Sequence, residues 1–408
     1  MDNIERREHI TETLNTEVRE SCAVAVCGGG IAGIAAALAA ARGGRDVLLI
    51  EREFALGGLA TLGLVTYYLP ICDGCGRQVV YGIGEELLRL AIKHGCECAR
   101  PDPWLDGGTD EERKKTRFKA GYNGPLFMLE AERLLTEAGV RILYGTSVCS
   151  VAVNSGRIEA LIVENRGGRS AIRVSGNVID ATGDAAIAAM CGAETAVYSR
   201  GNTLTGWYYF INSHERRCLM YGGAEITDEQ LAAGKKQPKL LSERRFSGLD
   251  GYEISEIVQM SHDATYRDWA KKHASDPTYL PDVLATIPQL RMTRRICGHA
   301  TADLCEEHAE DSIGLISSWR TRGPIYELPF GCIVARGCRN LLAAGRDISV
   351  TERMWDITRV IPPCAVTGEA AGTAAAMFDD LAVIDDSMTA ALQAEIRKGG
   401  SKLHREEL

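Results

Sequence analysis

Residues 24–33 read Val-Ala-Val-Cys-Gly-Gly-Gly-Ile-Ala-Gly, an apolar strand running into a G-x-G-x-x-G turn at Gly28, Gly30 and Gly33. An Ala-rich stretch from Ile34 to about Ala41 predicts a helix, and Asp46-Val-Leu-Leu-Ile-Glu51 predicts a second strand ending in a carboxylate. That order constrains the fold to a βαβ unit suited to gripping a dinucleotide. Gly28 permits the tight turn, Gly30 lets backbone approach a pyrophosphate, and Gly33 lets the helix lie close to the strand. The first helical amides, around Ile31 and Ala32, are unsatisfied donors for phosphate oxygens. Glu51 is placed to accept from ribose hydroxyls. A glycine turn in an empty βαβ unit is the alternative, and the full ordered set argues against it.

The following residues separate one dinucleotide from another. Arg52-Glu-Phe-Ala-Leu-Gly57-Gly58 comes directly after the acid and continues through Leu59-Ala60-Thr61. A simple NAD dehydrogenase has no need of a Gly pair here. A flavoprotein does, because the chain turns back along FAD and leaves amides facing its phosphates. Here the sequence resembles the FAD-dependent oxidoreductases related to the glutathione-reductase and fumarate-reductase flavoproteins, whose first fingerprint extends through a basic residue and a Gly-Gly pair. Val178-Ile-Asp-Ala181-Thr182-Gly183-Asp184 is similar to their middle motif. Asn340-Leu-Leu-Ala-Ala-Gly345-Arg346-Asp347 is similar to their late motif, in which an acid reaches the ribityl chain or pyrophosphate. The run from Pro362 to Ala376 is similar to their closing helix.

The resemblance spans Val24 to Ala376 and implies an α/β fold: a Rossmann-like FAD-binding domain with a β-meander and an inserted mixed α+β substrate domain. It implies FAD as cofactor, held by the glycines and acids above together with Val148, Ala365 and Val366. The prolines Pro362 and Pro363 suit a helix start, where a missing N–H costs nothing. The amides of Ala365 and Val366 are therefore expected near the pyrimidine end of the flavin, where a helix N-terminus stabilises negative charge. No histidine lies in 57–69, where covalently flavinylated relatives carry their linking residue, so noncovalent FAD is expected.

Residues 1–21 read as a polar, helical arm, either solvated or packed on a partner subunit, which leaves a homodimer open. Residues 22–199 and 326–384 are assigned to the FAD-binding domain, 200–325 to a substrate or cap domain, and 385–408 to a helical tail. Within the first part, 79–95 and 125–138 predict helices, 96–121 a long loop or lid, and 142–174 an alternating β-meander. No second G-x-G-x-x-G opens a helix after residue 40, so no NAD(P)H domain is expected and the electron acceptor stays unassigned.

Composition narrows the partners. A net charge of −9 without a dense basic stripe argues against nucleic acid. No apolar run approaches the ~20 residues that span a bilayer, and the charged first twenty residues are not a secretory signal. A cytoplasmic enzyme with a small-molecule substrate and no membrane insertion is the expectation. Fourteen cysteines in such a chain do not imply a disulfide framework. Cys72, Cys75, Cys96 and Cys98 have the pairwise spacing of a Zn or Fe–S site, but loop cysteines in a reducing cytosol are the preferred reading.

For catalysis, Arg359 is the first candidate, because an arginine between the late motif and the closing helix binds the substrate carboxylate in the fumarate-reductase relatives. Arg346 is the second. Arg291 and Arg295 are one helical turn apart, placed to clamp an anion, with a solvated face as the alternative. His299 is the best base candidate, and Tyr67 is placed to line the flavin face. The eight histidines include no metal-spaced pair, and no metal is expected. Hydride transfer between FAD and a small polar metabolite follows, with hydroxyl or amine oxidation ahead of C=C reduction. A flavin electron-transfer subunit serving an Fe–S or quinone partner is the alternative of a different class.

Overall fold

The strand Val18–Cys27 is central to a seven-stranded sheet in a computed structural model that describes residues 11–408, apart from Ala99, 223–230, Ala233, Lys235, 237–239 and Glu306. On one side it pairs in parallel with Val47–Ile50, which pairs in parallel with Arg141–Leu143. On the other it runs parallel to the long strand Gly168–Asp180. These strands are apolar over their cores, as expected of a parallel sheet covered on both faces.

Gly168–Asp180 belongs to two neighbours at once. Its first half pairs antiparallel with Arg157–Asn165, which pairs antiparallel with Ser147–Asn154 to form the meander. Its last residues, Val178–Asp180, pair in parallel with Leu341–Ala343. Asn340 fills the split between these partners. It is fully buried, accepts from the Ile158 amide at 2.9 Å, and donates to the Ile158 and Gly176 carbonyls, each at 2.9 Å.

The helix Ile31–Arg42 carries almost no polar side chains because its faces are covered by this sheet and by the helix Ile361–Met377. The two helices touch backbone to backbone. A Cβ at Gly368 would lie 2.3 Å from the Ala32 carbonyl, and one at Gly372 would lie 2.1 Å from that of Ala36. Small residues on both helices permit that approach.

Residues 206–284 contribute a three-stranded sheet of Arg216–Tyr221, Gly206–Ile211 and Leu280–Leu284, with the helix Gly251–His273 against it. Tyr208 joins the layers by bonding Asp268 of that helix and, at 2.8 Å, Tyr279. The strands Ser312–Ser317 and Ile325–Pro329 form a hairpin onto which the C-terminal stretch folds. Ser312 Oγ donates to the buried Leu403 carbonyl at 2.6 Å. Among the described residues, no helix is long and apolar enough to cross a membrane.

Three local expectations change. The described part of the N-terminal arm is not helical: residues 11–16 are irregular, and Val18–Glu20 extend the first strand along Ala171 and Ile172. The length of the Gly168–Asp180 strand supplies that extra edge. The 96–121 segment contains two short helices, Asp102–Leu105 and Asp110–Lys115, the second closed by a Thr109–Glu112 capping box. Arg291 and Arg295 do not share a helix turn. Arg294–Ile296 is a strand paired with Thr195–Val197, and β pairing overrides the helical spacing.

Candidate functional site

The three fingerprint glycines serve separable purposes. Gly28 holds φ 109°, and its amide donates to the Ile50 carbonyl at 2.8 Å, closing the turn between the first two strands. A Cβ at Gly33 would stand 1.8 Å from the Gly28 carbonyl, so this glycine is needed for the helix to meet the strand. Gly30 differs from both, because a Cβ there meets nothing within 4 Å. It faces open space at the floor of a cleft. Gly30 is also the N-cap of the Ile31–Arg42 helix, which has no side-chain cap and no acid in its first turn. The first amides of that helix therefore lack a side-chain acceptor and end at the cleft, an arrangement that attracts an anion.

The Gly57-Gly58 turn covers the opposite lip. Gly57 donates to the Gly29 carbonyl at 2.8 Å, and a Cβ on Gly58 would come 3.3 Å from Gly30 Cα. Leu59 and Ala60 line the cleft beside it. Thr61 supports the turn from behind, its hydroxyl donating to the Leu56 carbonyl at 2.6 Å. At the same end Glu51 is 7% exposed and accepts from the amides of Gly29 at 2.5 Å and Glu53 at 2.8 Å. Burial pushes its carboxyl up against the opposing pull of those two amides. Arg52, Val148, Ser147 and Thr146 complete this end.

The other wall is acidic. Ala181, Thr182, Gly183 and Asp184 follow the Gly168–Asp180 strand, and Gly345 and Arg346 follow Leu341–Ala343. Asp180, fully buried, accepts from the Thr182 hydroxyl at 2.6 Å and the Ala188 amide at 3.0 Å. Asp347 accepts the Gly183 amide at 2.9 Å. Burial, reinforced by neighbouring carboxylates, pushes both acids up. Asp347 Oδ1 and Asp184 Oδ1 are buried without a hydrogen-bond partner. Buried acceptors are ordinarily satisfied, so Asp184, which lines the cleft, calls for a donor from whatever fills it, whereas Asp347 is fully buried and not among the lining residues.

These features fit FAD. A helix N-terminus with free amides and open glycine backbone suit a pyrophosphate, while Glu51 and Asp184 at the lining offer acceptors to hydroxyl-bearing sugar parts.

Arg359 lines the cleft where the helix Glu352–Thr358 gives way to Ile361–Met377. Its guanidinium donates to Asp356 Oδ1 at 2.7 Å, and Arg320 holds the same carboxylate through both its oxygens. Burial pushes Asp356 up, but the two guanidiniums outweigh it and hold the carboxyl at about 2. Arg320 and Arg359 lie 4.2 and 5.7 Å from the Trp319 ring, whose indole N–H donates to the Asp356 carbonyl at 2.9 Å. Both guanidiniums meet the Asp356 carboxylate, and Arg359 borders the cleft. Arg346 also lines it, with its guanidinium over Gly183 and on the Leu290 carbonyl.

Other expected site residues lie elsewhere. Tyr67 is not among the cleft residues; it pairs with Gly121 in a short ladder, with Lys119 Nζ 5.2 Å from its ring. His299 sits by Arg336, its amide on the Val334 carbonyl at 3.2 Å; burial and that arginine pull its pKa down. Ile361 and Cys364 line the cleft from the closing helix, whereas Ala365 and Val366 turn toward Gly84. Cys72 is fully buried and accepts from the Phe118 amide at 3.2 Å, while Cys75 is exposed.

Sequence reasoning missed Arg320, Trp319 and Ile287. Only the Asp356-Ile-Thr-Arg359 spacing, three apart on a helix, signalled part of the cationic cluster. Ile287 brings the 200–325 segment into the cleft wall, and nothing in its apolar neighbourhood marks it in the sequence.

A family model described as FAD dependent oxidoreductase matches residues 23–206 and 296–396. No curated protein matches the chain. Solved structures that resemble it include the 3-ketosteroid-delta4-(5alpha)-dehydrogenase of Rhodococcus jostii, 16% identical over 89% of this chain and 98% of that one, with a TM-score of 0.41. An open-conformation flavocytochrome c3 fumarate reductase is 14% identical over 88% of this chain and 78% of its own, at 0.39. A geranylgeranyl bacteriochlorophyll reductase-like protein of Thermoplasma acidophilum is 12% identical over 93% and 82%, at 0.40. Likenesses this distant decide nothing about the reaction.

Proposed function

This chain belongs to the FAD dependent oxidoreductase family, and on that premise we propose that it transfers hydride between noncovalently bound FAD and a small polar, anionic metabolite, oxidising a hydroxyl or amine. The observation that carries this reading is Arg359, which lines the cleft with its guanidinium held by Asp356. An arginine that fixes a carboxylate by two points places the reacting carbon as well as attracting the charge.

In this reading Glu51 holds the ribose at one end. The backbone of Gly28, Gly30, Ile31, Ala32, Gly57 and Gly58 faces the pyrophosphate, with Gly33 and Thr61 shaping that surface from behind. Asp184 and Asp347 accept from hydroxyls at the other end. Bound FAD supplies the hydride acceptor, and the protein supplies position and charge. Arg359 binds and orients the substrate anion, Arg346 adds positive charge at the Gly183 wall, and Trp319 and Ile287 exclude water. Residues 22–199 and 326–384 act as the cofactor domain and 200–325 as the substrate-facing cap.

The test is a metabolite screen under anaerobic conditions, following loss of flavin absorbance. Bleaching by a hydroxy or amino acid supports the proposal. Reoxidation of chemically reduced flavin by an unsaturated acid, without bleaching by any saturated one, would replace it with C=C reduction. Turnover only with quinones, or broad absorbance lost on chelation, would replace it with electron transfer to a partner.

A further inference from the structure

Four ligand-type side chains from three separated stretches converge outside the residues that line the cleft. They are His308 ahead of the Ser312–Ser317 strand, Glu327 in the Ile325–Pro329 strand, and His404 and Glu406 in the C-terminal stretch. One nitrogen or oxygen from each lies within 4.8 Å of all the others. His404 Nδ1 and His308 Nδ1 stand 3.1 and 3.3 Å from the same atom, Glu327 Oε2. Glu406 Oε2 is 3.9 Å from His308 Nδ1.

We propose that this cluster binds zinc, and that the ion clasps the C-terminal stretch to the hairpin. Zinc bonds to nitrogen and oxygen are about 2.0–2.2 Å, so tetrahedral ligand atoms stand roughly 3.3–3.5 Å apart. The two edges to Glu327 are already near that length. The remaining closure falls to Glu406, whose side chain is 69% exposed and has room to turn inward. Two imidazoles with two carboxylates suit a transition ion, whereas Mg²⁺ and Ca²⁺ select all-oxygen shells. Two carboxylates and two neutral imidazoles also balance the charge of Zn²⁺.

The central ligand is fixed before any ion arrives. The Glu327 side chain is fully buried, and it accepts the Ala309 amide at 2.9 Å and the Arg405 amide at 3.0 Å. The Arg405 amide and Nε, the latter at 3.6 Å, engage Oε1, while Oε2 takes the Ala309 amide on one side and faces both histidines with its remaining lone pair. Outer partners of this kind orient ligands in metal sites. The cluster is hidden from spacing arguments because Glu327 and His404 are 77 residues apart.

The test uses holoprotein washed with EDTA, with exposed thiols alkylated by iodoacetamide so that cysteines do not compete. Titration with ZnCl₂ should show one tight equivalent and a rise in Tm. X-ray absorption should show only nitrogen and oxygen neighbours. The double variant His308→Ala, Glu406→Gln removes two exposed ligands and should keep its flavin and its metal-free Tm. It should weaken zinc binding at least about 100-fold, the upper end of what losing even an outer partner costs, and abolish the Tm rise. Absence of a tight equivalent, sulfur ligation, or unchanged binding in the double variant would overturn the proposal.

Discussion

Gly183 donates its amide to Asp347 at 2.9 Å, tying together the two loops that leave the neighbouring parallel strands Gly168–Asp180 and Leu341–Ala343. The bond occupies one carboxylate oxygen and leaves the other buried without a partner. Asp347→Leu removes both acceptors and strands the Gly183 N–H. An unsatisfied buried donor costs about 1–3 kcal/mol. That cost lowers Tm with or without cofactor; the lost Oδ1 also removes a charged acceptor for a cofactor hydroxyl, a bond worth about 1.5–3 kcal/mol, so FAD affinity should fall by at least about tenfold, while Asp347→Asn, which keeps an acceptor for Gly183, should lose less. Flavin fluorescence on titration into cofactor-stripped protein measures both. Equal affinity in the leucine variant would leave Asp347 a structural acid only.

Two glycines of one motif should fail in different ways. A Cβ at Gly30 meets nothing within 4 Å, whereas one at Gly33 lands 1.8 Å from a backbone carbonyl. Gly30→Val should fold with the Tm of the cofactor-free protein yet purify without flavin. Gly33→Ala should lower that Tm itself, because helix and strand must separate to admit the methyl group. Circular dichroism melts of stripped proteins, beside flavin content as purified, distinguish the two. A yellow Gly30→Val protein would show that the open floor is not where the cofactor lies.

This contrast also marks what the sequence could disclose. The fingerprint, the Gly57-Gly58 turn and the Ala181–Asp184 and Gly345–Asp347 segments are local patterns whose spacing is set by one turn or one strand end. The structure brings all four to one cleft, though Gly33 and Asp347 stand behind its lining. The cationic cluster was half legible: Arg359 and Asp356 share a helix, but Arg320 arrives from a loop 36 residues earlier than Asp356. His299 and Tyr67 lie outside the cleft because proximity in sequence to a motif does not set side-chain direction. Tyr67 is turned by its pairing with Gly121, and His299 by the bond of its own amide to Val334. The helical spacing of Arg291 and Arg295 misled for the same kind of reason, since a strand from 195–197 claims that segment.

Glu369 gives a pH-dependent prediction. It is 5% exposed inside the closing helix, accepts from Ser401 at 3.0 Å and the Ile83 amide at 3.3 Å, and burial pushes its carboxyl from 4.5 up to about 7. Between those values the folded protein retains a proton that the unfolded chain has released. Its contribution to stability is therefore full below about pH 4.5 and lost as pH rises to about 7. That loss is at most about 3 kcal/mol. Glu369→Gln should raise Tm relative to the parent at pH 8 and leave it little changed near pH 4.5. A constant Tm difference across this range would mean that Glu369 does not titrate there.

The double variant Cys72→Ser, Cys75→Ser should keep flavin content and substrate-driven bleaching near normal. The Cys72 thiol is buried and pushed up by burial, which suppresses the reactive thiolate, and Cys75 is solvent-exposed. Neither lies among the residues lining the cleft. Loss of turnover with flavin retained would give the pair a redox role.

Arg359 allows binding and chemistry to be separated. Its removal does not orphan the buried Asp356, because Arg320 still holds that carboxylate by both oxygens. Arg359→Ala should therefore fold and keep FAD with at most a modest drop in Tm. Substrate-driven bleaching per bound flavin should fall by on the order of 100-fold, since misplacing a reactant by about 1 Å costs that much. Lysine should restore only part of the rate, returning the charge without the planar two-point fork. Anaerobic bleaching normalised to bound flavin, rather than to protein, is the deciding measurement. If Arg359 served only to neutralise Asp356, the alanine variant would melt earlier while its remaining holoenzyme reacted at the parent rate, and the substrate anion would have to be held elsewhere.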